Sequence, residues 1–131
     1  MSDITCIADA AIAAGLIVRI KGFSGGYIQV AKSTNATTAT AHANFGVTQN
    51  ASSAAGDFVT VRTGYVVTQA TAGAAIAAGS LVTTNGSGKV VAAAALDRAI
   101  GRMLYGQSDD AATAADETCL IGLGAGIFDV T

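Results

Sequence analysis

The chain has no proline, no tryptophan, one histidine and two cysteines, and it is short of charge: seven basic and nine acidic residues among 131. Charged residues make up 12%, where an ordinary soluble domain has about 25%. Hydrophobic residues make up 51% and mean hydropathy is +0.51, so the chain has enough apolar surface to fold. One domain of this size still has a large exterior, which alanine, glycine, serine and threonine must largely cover. Such a surface is poorly protected against association. The composition therefore describes a protein whose surface is covered by neighbouring subunits or partners.

Other absences exclude whole classes of function. Net charge is −2, and the basic residues Arg19, Lys21, Lys32, Arg62, Lys89, Arg98 and Arg102 are scattered, so no basic stripe exists to track nucleic acid. The longest apolar run, Ala10 to Val18, contains Gly15 and stops at Arg19. It is about half of the ~20 residues a membrane-spanning helix needs. Asp3 stands where a secretory signal carries positive charge, and no cleavage pattern follows, so the expectation is assembly in a cytoplasm. Cys6 and Cys119 are the only cysteines, and two distant cysteines do not make a disulfide scaffold or a zinc site. They read as two buried small hydrophobes, with a bridge between them as the alternative if the assembly leaves the cell.

Motifs for catalysis fail one by one. His42 is the sole histidine, and no serine sits in a Gly-x-Ser-x-Gly elbow. Gly86-Ser87-Gly88-Lys89 has the look of a phosphate loop, but Val90 replaces the required hydroxyl residue and Thr83 the first glycine, so it reads as a hairpin turn. Gly122-x-Gly124-x-Gly126 has no helix after it. Asp109, Asp110, Asp116 and Glu117 lack the calcium-loop register and read as solvated charges. Asn35, Asn50 and Asn85 head glycosylation-like triplets that, without a secretory signal, mark only Ser/Thr-rich surface. The expectation is a non-enzyme with no cofactor and no metal.

What the sequence does carry is alternation. Leu16, Val18 and Ile20 alternate against Arg19 and Lys21; Val59 and Val61 share a face, as do Cys119, Ile121 and Leu123. Shorter strands are expected over 4–8, 27–31, 44–48, 65–68, 80–84, 89–92, 100–105 and 127–130. Hairpins are expected at Ser24-Gly25-Gly26, Thr63-Gly64 and Asn85-Gly86-Ser87-Gly88, where glycine supplies φ > 0. Alanine runs at 10–14, 74–78 and 91–96, and the stretch 110–115, have room for one helical turn each. Residues 32–44 lack periodicity and read as a long surface loop. The fold class is all-β: a compact β-barrel or sandwich of many short strands, with at most one-turn helices.

The chain also repeats itself. Ala10-Ala11-Ile12-Ala13-Ala14-Gly15 recurs letter for letter as Ala74-Ala75-Ile76-Ala77-Ala78-Gly79. Gly26 to Val30 then matches Gly88 to Ala92, Phe45-Gly46-Val47 matches Ile100-Gly101-Arg102, and Ala54 to Val61 matches Ala114 to Ile121, all in the same order. We read one domain over 1–131 made of two similar half-units, about 8–64 and 72–124, after a short N-terminal arm at 1–5. Units of roughly 55 residues bury too little surface alone to be secure.

Ala55-Gly56-Asp57-Phe58-Val59-Thr60-Val61, then Gly64-Tyr65-Val66, then Ala75-Ile76-Ala77-Ala78-Gly79-Ser80-Leu81-Val82 resembles the capsid decoration (cement) proteins of tailed bacteriophages. The resemblance covers most of residues 8–124; the missing proline and the long 32–44 loop depart from it. It implies a β-barrel-like fold and oligomers, commonly trimers, with a dimer as the alternative. It also implies a seat on the outer face of the capsid of a virion, where the chain bridges major capsid protein subunits. No nucleic acid and no membrane is involved. Phe23 and Tyr27 flank the Ser-Gly-Gly turn and are the expected exposed anchors, the alternative being that they pack over the hairpin. With Met1, Ser2 and Asp3 of the arm they form the expected partner interface. Phe45 and Phe58 fit the strand pattern too loosely to assign. The competing reading is a fibre or adhesion-type module recognising a host-surface ligand, against which the scarcity of aromatics counts. A small enzyme using His42 is the least favoured.

Overall fold

Ten strands account for most of the residues that the computed structural model describes, namely 2–33, 44–64, 66–94, 98–105 and 115–129, and no helix occurs among them. In chain order they are β1 (Ser2–Ala8), β2 (Ile17–Ser24), β3 (Tyr27–Lys32), β4 (Asn44–Thr48), β5 (Phe58–Thr63), β6 (Val66–Thr71), β7 (Leu81–Thr84), β8 (Val90–Ala92), β9 (Arg98–Tyr105) and β10 (Thr118–Asp129). The separate strand expected at 127–130 is the end of β10. The loop read at 32–44 and the helical turn at 110–115 fall largely outside the described residues. The alanine run at 10–14 is not a helical turn. Ile12 instead exchanges backbone hydrogen bonds with Ser52, and its side chain is buried. Residues 2–5, read as an arm, are rungs of β1, where Ser2 faces Thr63 and Asp3 faces Arg62 on β5.

The first five strands close into a ring in the order β1-β3-β2-β4-β5, and the last five form a sheet in the order β6-β10-β9-β7-β8. Laid over one another, β6 corresponds to β1, β10 to β5, β9 to β4, β7 to β2 and β8 to β3, so the cyclic order is the same. The backbone bonds agree rung by rung. Gly15 N–H donates to Thr48 O while Thr48 N–H donates to Leu16 O; in the second ring Gly79 donates to Met103 and Met103 to Ser80. Ala8 N–H reaches Asp57 O as Ala72 N–H reaches Glu117 O. Asp9 and Gly73 donate to Val30 and Val90, which pairs Val30 with Val90 and not, as the sequence blocks suggested, with Ala92. The offset differs because the β2–β3 hairpin turns on Gly25-Gly26 alone, whereas β7 and β8 are joined through residues 85–89.

The rings differ at one seam. In the first, β1 and β3 pair directly in parallel through Ile7–Gln29 and Ala8–Val30. In the second, the matching strands β6 and β8 meet only in the single bridge Ala72–Val90. The chain entering β2 fills the rest: Thr71 N–H donates to Gly15 O at 2.8 Å, and Ile17 N–H donates to Gly88 O at 2.7 Å. The entry into β2 is accordingly buried on both sides. Leu16 and Val18 point into the first ring with Cys6, Val30, Val59 and Val61, while Ile17, with Val47, packs into the second against Ala70, Val82, Val90 and Ile121. The Thr63-Gly64 hairpin is not formed. Both edges of β5 are taken, by β1 and β4, so β6 leaves to pair with β10.

Cys6 lies in the first core and Cys119 in the second, and both are free thiols, which removes a bridge between them. Burial pushes both thiols up, Cys119 to about 11. The thiolate is the reactive form. A maleimide at about pH 8 is therefore expected to leave both unmodified in the folded chain and to label both in denaturant, read by intact mass. Prompt labelling of the folded chain would contradict this packing.

Candidate partner-binding surface

Parallel pairing of β1 with β3 puts the starts of both strands at one end of the first ring, and the β2–β3 turn and the start of β4 lie there too. That end is apolar. Ile4, Ile28 and Phe45 pack partly against the first core, and Ile20, opposite the wholly buried Val30, is 36% exposed. A β-bulge after Ile20 resets the alternation, so Phe23 comes opposite Ile28 and extends this inward face beyond the core. At 78% exposed, Phe23 is the most exposed large hydrophobic side chain among the described residues.

Tyr27 pairs with Ser24 and, one residue from Ile28, faces the other way, onto the outer wall. The structure thus separates the two anchors that sequence reasoning grouped. Tyr27 meets Phe58, ring centroids 4.9 Å apart and edge-on at 67°. Phe58 is 54% exposed and lies opposite Ile7, so Tyr27, Phe58 and Ile7 make an apolar patch on the wall. Phe58 was legible after all. Val59 and Val61 mark the inward face of β5, and the residue before Val59 must point out. Its position is fixed by Asp57, whose Oδ2 accepts from Ser53 N, Ser53 Oγ and Ala54 N at 3.0–3.1 Å. These bonds hold the Asp57 carboxyl below its ordinary value.

Asp3 stands on the same wall, four rungs from the Ile7–Phe58 pair. Its carboxylate accepts Arg62 Nε at 2.9 Å and Nη2 at 3.2 Å, and this hydrogen-bonded cation lowers its pKa. Asp3 is thereby occupied across the strands. Ser2 is described only in its backbone, and Met1 and His42 lie outside the described residues. At the position in the second ring that matches the Asp3–Arg62 rung stand Val67 and Gly122, beside Leu104. There the wall is a shallow apolar notch, with Val67 52% and Leu104 38% exposed.

Of the remaining sequence candidates, Asn35, Asp109 and Asp110 lie outside the described residues, and Asn85 and Asp116 are structural. Asn85 Oδ1 accepts from Ser87 N and Lys89 N, making 85–89 a hairpin turn. Asp116 takes φ +67° in the place that Gly56 fills in the first ring, and pairs with Lys89. No group of three metal-ligating side chains occurs among the described residues.

A family model described as phage cement protein matches residues 1–123. No curated protein matches the chain in sequence. Among solved structures the chain is similar to the N base of head fiber gp8.5 of bacteriophage phi29, with a TM-score of 0.72 and 15% identity over 98% of each chain. At that identity the likeness is one of fold.

Proposed function

The chain belongs to the phage cement protein family, which makes it a structural virion protein associated with the phage capsid, and from that premise we propose that it sits on the outer surface of the shell and stabilises it by bridging major capsid protein subunits. It works as a homo-oligomer, a trimer before a dimer, assembled in the host cytoplasm. We read its two rings as half-units, about 8–64 and 72–124, of one domain.

The observation that supports a shell contact at a defined place is Phe23. A large apolar side chain left 78% exposed where it extends the apolar inward face at one end of a closed ring is suited to anchoring in a partner's pocket. Alanine, glycine, serine and threonine around it lose little side-chain entropy on burial, and few charges need desolvating. Of the interface residues expected from sequence, Phe23, Tyr27 and the first residues of β1 lie at this end of the ring, with Tyr27 turned onto the outer wall.

The test is co-sedimentation of the purified chain with pre-formed, expanded shells of its phage. Wild type is expected to bind and to raise the temperature at which shells release their contents. Phe23→Ala is expected to weaken binding by about 2 kcal/mol, roughly 30-fold, the loss typical of an anchor residue. Wild type with no affinity for shells would refute the function; Phe23→Ala binding as wild type does would refute only the anchor.

A further inference from the structure

We propose that copies of this chain associate head to tail, the Ala74–Gly79 turn of one copy seated on the Tyr27–Phe58–Ile7 patch of the next. This rests on the reading that copies self-associate, and not on the shell contact.

The molecule already contains the precedent. The turn ending in Ala14 and Gly15 seats on the second ring beside Thr71 and Thr118, with Gly15 O accepting Thr71 N–H. An added Cβ on Gly15 would stand 2.9 Å from Thr71 Oγ1, so the approach is close. Thr71 and Thr118 lie opposite each other on β6 and β10. In the first ring the corresponding opposed pair is Ile7 and Phe58. The turn that corresponds to Ala14–Gly15 is Ala78–Gly79, within a hexamer of identical sequence.

Both halves of the corresponding contact stand uncovered in a single copy. Ala74, Ala75, Ala77, Ala78 and Gly79 are exposed, and only Ile76 of that hexamer is buried. The receiving site carries large apolar groups, Phe58 and Tyr27, where the internal one carries two threonines. Charge is complementary as well. Arg102, in the place of Val47, is exposed and donates to Gly79 O at 2.7 Å, so a cation stands at the turn. Asp57 and Asp9 both lie just past the receiving rung, on the same side of it; Asp9 is paired with Lys21, leaving Asp57 to meet the cation.

One difference shapes the contact. Strand β3 closes the first ring, so the incoming turn lies over the wall and does not enter between strands as Gly15 to Ile17 do. The surfaces joined are different, which makes the contact heterologous; it closes into a ring where the rotation permits and otherwise runs on as a filament.

Sedimentation of the purified chain, with no shell present, tests this. Wild type is expected as an oligomer. Phe58→Asp and Ala78→Asp, on opposite sides of the contact, are each expected to weaken self-association roughly 30-fold or more. Val67→Asp, on the notch of the second ring, is expected to leave it unchanged. A second measurement guards against misfolding. Gln29→Cys mixed with Ala78→Cys is expected to form a disulfide-linked dimer under mild oxidation that neither forms alone, Cys6 and Cys119 being buried. A monomeric wild type at the highest reachable concentration would overturn the contact together with the self-association reading. An oligomeric wild type whose Phe58→Asp and Ala78→Asp variants stay assembled, or whose cysteine pair does not cross-link, would overturn the contact alone.

Discussion

Gly101→Ala and Gly46→Ala are each expected to cost more than about 3 kcal/mol, a large fraction of the 5–15 kcal/mol that holds an average domain together. The two glycines occupy the same place in the two rings, where β9 pairs with β10 and β4 with β5. A Cβ on Gly101 would stand 2.1 Å from Gly122 O, and one on Gly46 would stand 2.2 Å from Arg62 O. Neither neighbour is a side chain that can swing aside. Each is a carbonyl of the adjacent strand, so relief requires the strands to separate where their ladder holds the ring together. Neither glycine has a positive φ, so the demand is for space and not for left-handed backbone. Gly22 is the control, lying in a strand with nothing within 4 Å of its added Cβ and no positive φ. Gly22→Ala is expected to stay within about 1 kcal/mol of wild type. Urea unfolding followed by circular dichroism gives all three values. Gly101→Ala and Gly46→Ala unfolding at the wild-type midpoint would mean that the strands do not approach this closely.

These glycines also mark the limit of what the sequence made legible. Phe45-Gly46-Val47 and Ile100-Gly101-Arg102 match as sequence blocks, and the structure makes them equivalent, with Thr48 and Met103 next in register. Nothing in the letters separates a glycine needed for close approach from one needed for a turn. Alternation made the strands readable because it is local: Asn44–Thr48 falls where the pattern places it. The φ > 0 positions at Gly25 and Gly26 were readable for the same reason. Pairing was not. Gly64 has φ +90°, as a hairpin would use, yet its flanking strands go to different sheets, since β5 finds partners in β1 and β4 that are remote in sequence. The surface shows the same split. Phe23 and Tyr27 sit beside one turn in the chain, and a bulge between Ile20 and Gly22, invisible in composition, places them on opposite faces. The Tyr27–Phe58 patch joins residues from strands separated in sequence and required the ring to be closed before it existed.

Ile17→Ala is expected to destabilise the chain by about 3 kcal/mol, within the range for truncating a buried isoleucine, and to do so unevenly. Ile17 is 1% exposed, yet its side chain belongs to the core of the second ring while its strand belongs to the first. The first ring is closed by its own β1–β3 pairing and keeps Leu16 and Val18. The second has one bridge at the matching seam and depends on Gly15 and Ile17 to span the remainder. Truncation should therefore loosen β6 and β8 first. Hydrogen exchange is expected to rise at Thr71 and Val90 and their neighbours while β1 and β5 stay protected, because local opening follows the weakest cooperative unit. Leu16→Ala, one residue away and pointing into the other ring, should reverse the pattern. Gly88→Ala approaches the same seam from its far side: its Cβ would lie 2.8 Å from Ile17 O at φ +76°, and it should loosen the same strands. Uniform loss of protection across both rings in Ile17→Ala would mean that the rings unfold as one unit. The segment before β2 would then be packing of an ordinary kind and not the piece that completes the second ring.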